Sequence, residues 1–255
     1  MSASAGEMTF WDHLDDLRMG LFRVAAVLLA VTVGLFACKG FLFDSVILAP
    51  SDSDFYLYRL LRTDFTLSLV NIEVTAQFMI HVKVTFLCAL ILSFPYLVYE
   101  IWRFIAPALY EHEKRRVRNA FSFASLLFYL GLVVGYFLIF PLMLNFFVNY
   151  QVSPDVPNTF SLSSYVSLLT SMVFTFGIVF EFPVLVVLLS ALGVLTKGMM
   201  KKYRSYAIVA IVILAAIITP SGDPFSLMVV AIPLYLLYEF SVLICREERS
   251  ETVEI

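Results

Sequence analysis

Residues 104–118, FIAPALYEHEKRRVR, decide how the chain is threaded. The stretch lies between two long apolar segments, and Lys114, Arg115, Arg116 and Arg118 crowd its second half. Loops rich in Lys and Arg beside membrane spans stay on the cytoplasmic side, so this loop sets the orientation. It also carries Glu111 and Glu113. A loop that only had to be positive has no use for carboxylates, and any reading must account for both features.

The composition outside the loop points to lipid as the solvent. Of 255 residues 61% are hydrophobic and 15% charged, against about 25% charged in a soluble domain. Mean hydropathy is +0.90. A soluble protein this apolar could not cover its surface with polar groups. Cys38, Cys88 and Cys245 are far apart and in or beside apolar segments, which reads as inert thiols with no disulfide framework. No metal spacing, phosphate loop or nucleophile motif is present, so neither an enzyme nor a cofactor is expected. Nothing in the composition invites nucleic acid. The N-terminal MSASAGEMTFWDHLDD lacks a basic n-region, and no small-residue cleavage site follows the first apolar run. That run therefore reads as a retained span, and the absence of an Arg-rich transit peptide favours a bacterial plasma (inner) membrane.

Hydrophobic patterning divides the chain into six expected spans, at about 21–39, 74–105, 117–148, 165–192, 206–219 and 225–245. Residues 9–23 read as an amphipathic interfacial helix, with Phe10, Leu14, Leu17 and Leu21 on one face and Thr9 as cap. Residues 40–72, broken by Pro50 and a Ser/Asp cluster, read as a structured external cap. The second and third spans exceed what a ~30 Å hydrocarbon core requires, so Pro95 and Pro141 are candidate kinks. The fifth and sixth contain short apolar runs, which implies local thinning or shelter by neighbours. Thirteen of the seventeen Lys and Arg fall in the terminal regions, the 103–118 stretch and the 197–204 loop. Six spans then place both termini in the cytoplasm. The expected fold is an all-α membrane protein forming one integral domain over 1–255.

Few residues invite chemistry. Glu181 lies inside a span, where a carboxylate costs roughly 2.5–3.5 kcal/mol on insertion scales. It must be protonated, paired or wet, either as a partner contact or as a structural group beside Pro183. Lys83 is the one base well inside a span, and reads as a partner for a carboxylate such as Glu181 or as a snorkelling side chain. Glu100 and Glu239 read as solvated acids near cytoplasmic ends. Asp15, Asp16, Glu111 and Glu113 either pair locally with Arg18 and Lys114 or form a site for a basic ligand, since carboxylates bind guanidinium bidentately.

Five motifs in order carry a family resemblance: HLDDLR, FPYLVYEIWRFIAPALYEHEKR, SFASLLFYLGLVVGYFLIFPL, FGIVFEFPV and TPSGDPFS. Over residues 10–245 the chain resembles TatC, the multi-spanning core of the twin-arginine translocase. The resemblance implies six transmembrane helices, cytoplasmic termini and a concave, glove-like bundle. It implies a receptor for folded cargo whose N-terminal signals carry paired arginines, binding TatA/TatB single-span partners and using the proton-motive force, within a homo-oligomeric receptor complex. Residue by residue it implies that Asp16 and Glu113 coordinate the arginines, with Phe104 and Arg18 in the same pocket. Glu181 matches an intramembrane Glu that contacts partner spans; Lys83, from its position alone and not from the resemblance, is grouped with it as an intramembrane polar residue. Pro50, Phe78 and Asp223 match structural positions of the external face. Two other readings compete: a proton-coupled carrier using Lys83 and Glu181, which requires a midplane cavity, and a purely structural assembly subunit.

Overall fold

No proline interrupts the chain from Phe10 to Phe36, and its apolar residues recur along one 27-residue helix, α1 (Phe10–Phe36). The sequence reading separates an interfacial helix from a span ending near Lys39. The two are instead continuous, because no proline intervenes and Gly20 lies buried in a helix–helix contact. In the computed structural model the described residues are 10–52, 54–62, 67–108, 111–153, 155–156, 158–219 and 222–245. Among these, the side chains of 10–13, 61, 108, 111–113, 115 and 116 are outside the description. Thr9, Arg246 and Arg249 lie outside the described residues.

After α1 comes a cap of short elements. A π-helical turn (Phe41–Ile47) leads into a 3-10 turn (Ala49–Ser51) holding the buried Pro50, then α2 (Tyr56–Leu61) and β1 (Leu69–Val70). Three phenols fasten the cap. Tyr136 donates to the Val46 carbonyl at 2.6 Å, Tyr165 to Ile47 at 2.9 Å and Tyr58 to Pro50 at 3.1 Å. The irregular backbone there would otherwise bury unpaired carbonyls. Burial also pushes the Tyr58 phenol above its ordinary pKa.

The 30-residue α3 (Ala76–Ile105) absorbs Pro95 without ending, and Phe78 stands exposed in its first turn. A 3-10 turn (Ala106–Ala108) follows, then α4 (Glu111–Val134), a π-helical turn (Gly135–Ile139) and α5 (Phe140–Asn149). The wider turn lies immediately before Pro141, whose missing N–H removes one rung of the helical ladder. Asn158 closes the end of α5 by donating to the carbonyls of Phe147, Val148 and Tyr150. The next strand, β2 (Phe160–Ser161), pairs in parallel with β1, with Leu69 opposite Phe160.

The fourth span divides at Phe180–Glu181 into α6 (Leu162–Val179) and α7 (Phe182–Ala191). Pro183 has no N–H to offer the preceding turn, and its ring crowds that turn's carbonyl. Then come α8 (Lys197–Lys202), α9 (Arg204–Ile218) and α10 (Pro224–Ile244). Gly222 takes the left-handed backbone (φ +59°) that the turn before α10 requires. Asp223 caps α10 by accepting from the Ser226 N–H at 2.8 Å. Pro220 and Ser221 of that turn lie outside the described residues.

Among the described residues, five helical stretches are long and apolar enough to cross a membrane: Leu14–Phe36, Ala76–Ile105, Val117–Asn149, Leu162–Ala191 and Pro224–Ile244. The remaining expected span forms as α9, whose 15 residues reach about 22 Å, short of a ~30 Å hydrocarbon core. The core gathers around α6, where Val84, Phe140, Met143, Leu169, Met172 and Phe176 are all buried together. α6 can approach α4 because the contact lacks side chains. A Cβ on Gly131 would collide with the Phe176 carbonyl oxygen and lie 2.8 Å from Phe180 Cβ. One on Gly177 would lie 2.8 Å from the Phe128 ring. In lipid, helix association depends on such close backbone contact.

Gly131→Val should therefore lower the thermal midpoint in detergent by about 4–10 °C, from an overpacking cost of roughly 1–3 kcal/mol. Gly34, which has nothing within 4 Å of its virtual Cβ, is the control position. Equal tolerance of Val at 131 and 34 would refute the close-contact account.

Candidate functional site

The end of the bundle opposite the cap holds a groove between α1 and α3. It encloses about 280 Å³, and its lining includes Asp16, Leu17, Leu21, Glu100, Arg103 and Phe104. Helical geometry explains the set. Asp16 and Gly20 are four residues apart on one face of α1, and Leu97, Glu100, Ile101 and Phe104 recur at three- and four-residue spacing on α3. Asp16 and Phe104, singled out in the sequence, thus share one groove.

Their neighbours sort differently. Arg18 forms an exposed ion pair with Asp15 at 3.2 Å, one turn along α1, an arrangement that contributes little to stability in water. Asp16 has no ion pair among the described residues, which leaves its carboxylate available at the groove mouth. Glu113 falls in the first turn of α4, and its side chain, with those of Arg115 and Arg116, lies outside the described residues.

Glu100 corrects the sequence reading. Far from being a solvated acid, its side chain is 8% exposed and faces Arg23 Nε at 3.3 Å. Tyr96, one turn earlier on α3, donates to Glu100 Oε1 at 2.9 Å. Gly20 packs beside it, where a Cβ would lie 3.4 Å from Glu100 Oε2, an ordinary contact distance. Glu239 differs likewise, taking Arg204 at 2.7 Å and tying α9 to α10. In both cases the signal was a base near the end of a neighbouring span, which one-dimensional reading cannot assign to a particular acid.

A second cavity, about 460 Å³, lies beside the break between α6 and α7 and is walled by α9 and α10. Glu181 is the one charged residue in its lining, among side chains such as Ile178, Leu185, Ile211 and Leu234. Its Oε1 is buried with no hydrogen-bond partner. Lys83 is elsewhere. Its Nζ donates to the Ser167 hydroxyl at 3.2 Å, and Ser167 lies fourteen residues from Glu181, or about 21 Å along helix. Glu181 and Lys83 do not form the ion pair that is one of the readings of Lys83.

With the geometry in place, comparison with known proteins is specific. The family described as Sec-independent protein translocase protein (TatC) matches residues 12–233. A TatC from Blattabacterium sp. subsp. Periplaneta americana is 35% identical over 259 residues, covering 96% of this chain and 97% of its own. The Escherichia coli K12 TatC is 38% identical over 184 residues, 70% of this chain and 69% of its own. A crystal structure of the twin arginine translocase receptor TatC superposes with a TM-score of 0.73 at 32% identity, covering 91% of this chain and 96% of that one. Another, in DDM, gives 0.75 at 32% identity, covering 91% and 98%.

Because a buried polar atom without a partner is costly, Glu181→Leu should stabilise the bundle in detergent by about 1–3 kcal/mol. Thermal unfolding of the purified variant reads this directly. A lowered midpoint would mean that Glu181 is a structural keystone.

Proposed function

The chain belongs to the TatC family of Sec-independent protein translocase proteins, and we propose that it is the receptor and core subunit of a twin-arginine translocase. It binds the paired arginines of a cargo signal at the groove between α1 and α3, with Asp16 and Glu113 as the acids. Phe104 lines the apolar wall, and Arg18 borders the site. The observation that carries this reading is the placement of Asp16 and Phe104 on one groove, at the end of the bundle where the basic 103–118 stretch begins. Two fixed guanidinium charges fit two carboxylates, each pairing through charge-assisted hydrogen bonds.

The same reading makes α9 a sixth, short span and puts both termini in the cytoplasm of a bacterial inner membrane, the bundle taking a concave, glove-like form. The basic residues at one end support that orientation. The cavity at Glu181 receives the transmembrane helix of a single-span TatA or TatB partner, which offers the unpartnered Oε1 a hydrogen-bond donor. Lys83 is a second polar contact, nearer the cap. Pro50, Phe78 and Asp223 shape the external face. Export of folded cargo then draws on the proton-motive force within a homo-oligomeric receptor complex.

Asp16→Asn combined with Glu113→Gln should weaken binding of a twin-arginine peptide to the purified chain by about tenfold or more. A twin-lysine peptide serves as control, and unchanged affinity would rule the pocket out. Glu181→Ala should keep peptide binding but lose co-purification of the single-span partners. Intact partner assembly in that variant would remove Glu181 from the interface.

A further inference from the structure

The acids assigned above do not exhaust the groove. Glu100 lines the same cavity, is nearly buried, and already holds a guanidinium, that of Arg23. The hold is loose. Arg23 Nε lies 3.3 Å from Glu100 Oε1, and that Nε makes no hydrogen bond. A carboxylate and a guanidinium can instead form two parallel hydrogen bonds, a far stronger arrangement. Tyr96 occupies Glu100 Oε1, while Oε2 stands over the bare backbone of Gly20 and takes no hydrogen bond among the described residues. Gly20 is one helical turn from Asp16, so the two acids are offset by about 6 Å along α1. The guanidinium heads of neighbouring arginines on one ligand can span that distance.

Resting on the receptor reading above, we propose that Glu100 is a further signal-binding acid of the groove and that Arg23 occupies it as an internal stand-in for a ligand arginine. A ligand that reaches the floor of the groove displaces Arg23, which is long, partly exposed and able to swing its charge toward solvent. Arg23 thereby sets specificity. An incoming planar guanidinium gains the bidentate geometry that Arg23 lacks, whereas an ammonium offers only a point charge and competes poorly. Without a ligand, the buried carboxylate keeps a counter-charge, and an unpaired one would be costly.

The sign of two single substitutions tests this. A fluorescent peptide with consecutive arginines followed by an apolar segment is titrated against the full-length chain in nanodiscs, beside a twin-lysine version. Arg23→Gln should tighten binding of the arginine peptide by about three- to tenfold, and Glu100→Gln should weaken it by about tenfold. The double variant should bind like Glu100→Gln, since the freed acid is gone. Arg23→Lys, which keeps the charge but not the fork, should give a smaller gain than Arg23→Gln.

If Arg23→Gln and Glu100→Gln both weaken binding, the pair only clamps α1 to α3 and the proposal is overturned. It is equally overturned if neither changes affinity. Failure of the receptor reading looks different: the unmodified chain would not distinguish arginine from lysine peptides, or Asp16→Asn with Glu113→Gln would leave affinity unchanged. Thermal midpoints of each variant, taken in the same nanodiscs, separate loss of fold from loss of binding.

Discussion

The crossing of α4 and α6 over Gly131, Gly135 and Gly177 is the contact on which the rest of the bundle depends. Lipid tails are as apolar as Leu, so burying apolar side chains against one another drives little association within a membrane. What remains is dispersion between closely packed atoms, and it falls off steeply with separation. Here a virtual Cβ on Gly135 lies only 3.0 Å from Val173 Cα. That closeness seats Phe128, Phe140, Met172 and Phe176 at 0–1% exposure and fixes α6 as the post around which the other spans stand. The break at Phe180–Glu181, and with it the cavity holding Glu181, is positioned from the same post.

Polar groups then do two separate jobs at the two ends. At the cap end they satisfy backbone: Tyr58, Tyr136 and Tyr165 each give a proton to a carbonyl in residues 46–50, where irregular chain replaces helix. At the groove end they join spans through ion pairs, Arg23 with Glu100 and Arg204 with Glu239. The first pair is longer, at 3.3 Å, though its acid is the more buried, while the second closes to 2.7 Å. Similar chemistry therefore serves a static contact in one place and an exchangeable one in the other, the difference being geometry.

Much of this was legible from one dimension because lipid enforces simple rules. Apolar stretches in lipid become helices, and α3 (Ala76–Ile105) and α10 (Pro224–Ile244) cover the stretches read at 74–105 and 225–245, whereas α4 begins at Glu111, ahead of the stretch read at 117–148. The fourth span, read as one stretch holding Glu181 and Pro183, divides just before that proline. The resemblance put Asp16 and Phe104 in one pocket, and they line one groove, whereas the cavity beside Glu181 had no signal along the chain. What escaped was pairing between spans. Nothing along the chain says that Glu100 faces Arg23 over Gly20, or that Lys83 meets Ser167, because both depend on helix rotation and depth. The uninterrupted α1 escaped for a related reason. An amphipathic stretch and an apolar one look like two objects until the helix is seen to pass from one to the other.

The two-residue parallel pairing of Leu69–Val70 with Phe160–Ser161 has a consequence for biogenesis. Its strands are separated by about ninety residues, so at ~5–20 residues per second the ribosome needs roughly 5–20 s to supply the second after the first. Two of the three tyrosines that fasten the cap, Tyr136 and Tyr165, also arrive in this later portion. The first loop therefore stays unclosed until the residues of the second hairpin have been made. The cap thus closes late: its fastening groups, Tyr136 and Tyr165, and its second strand all come from chain made after the first loop.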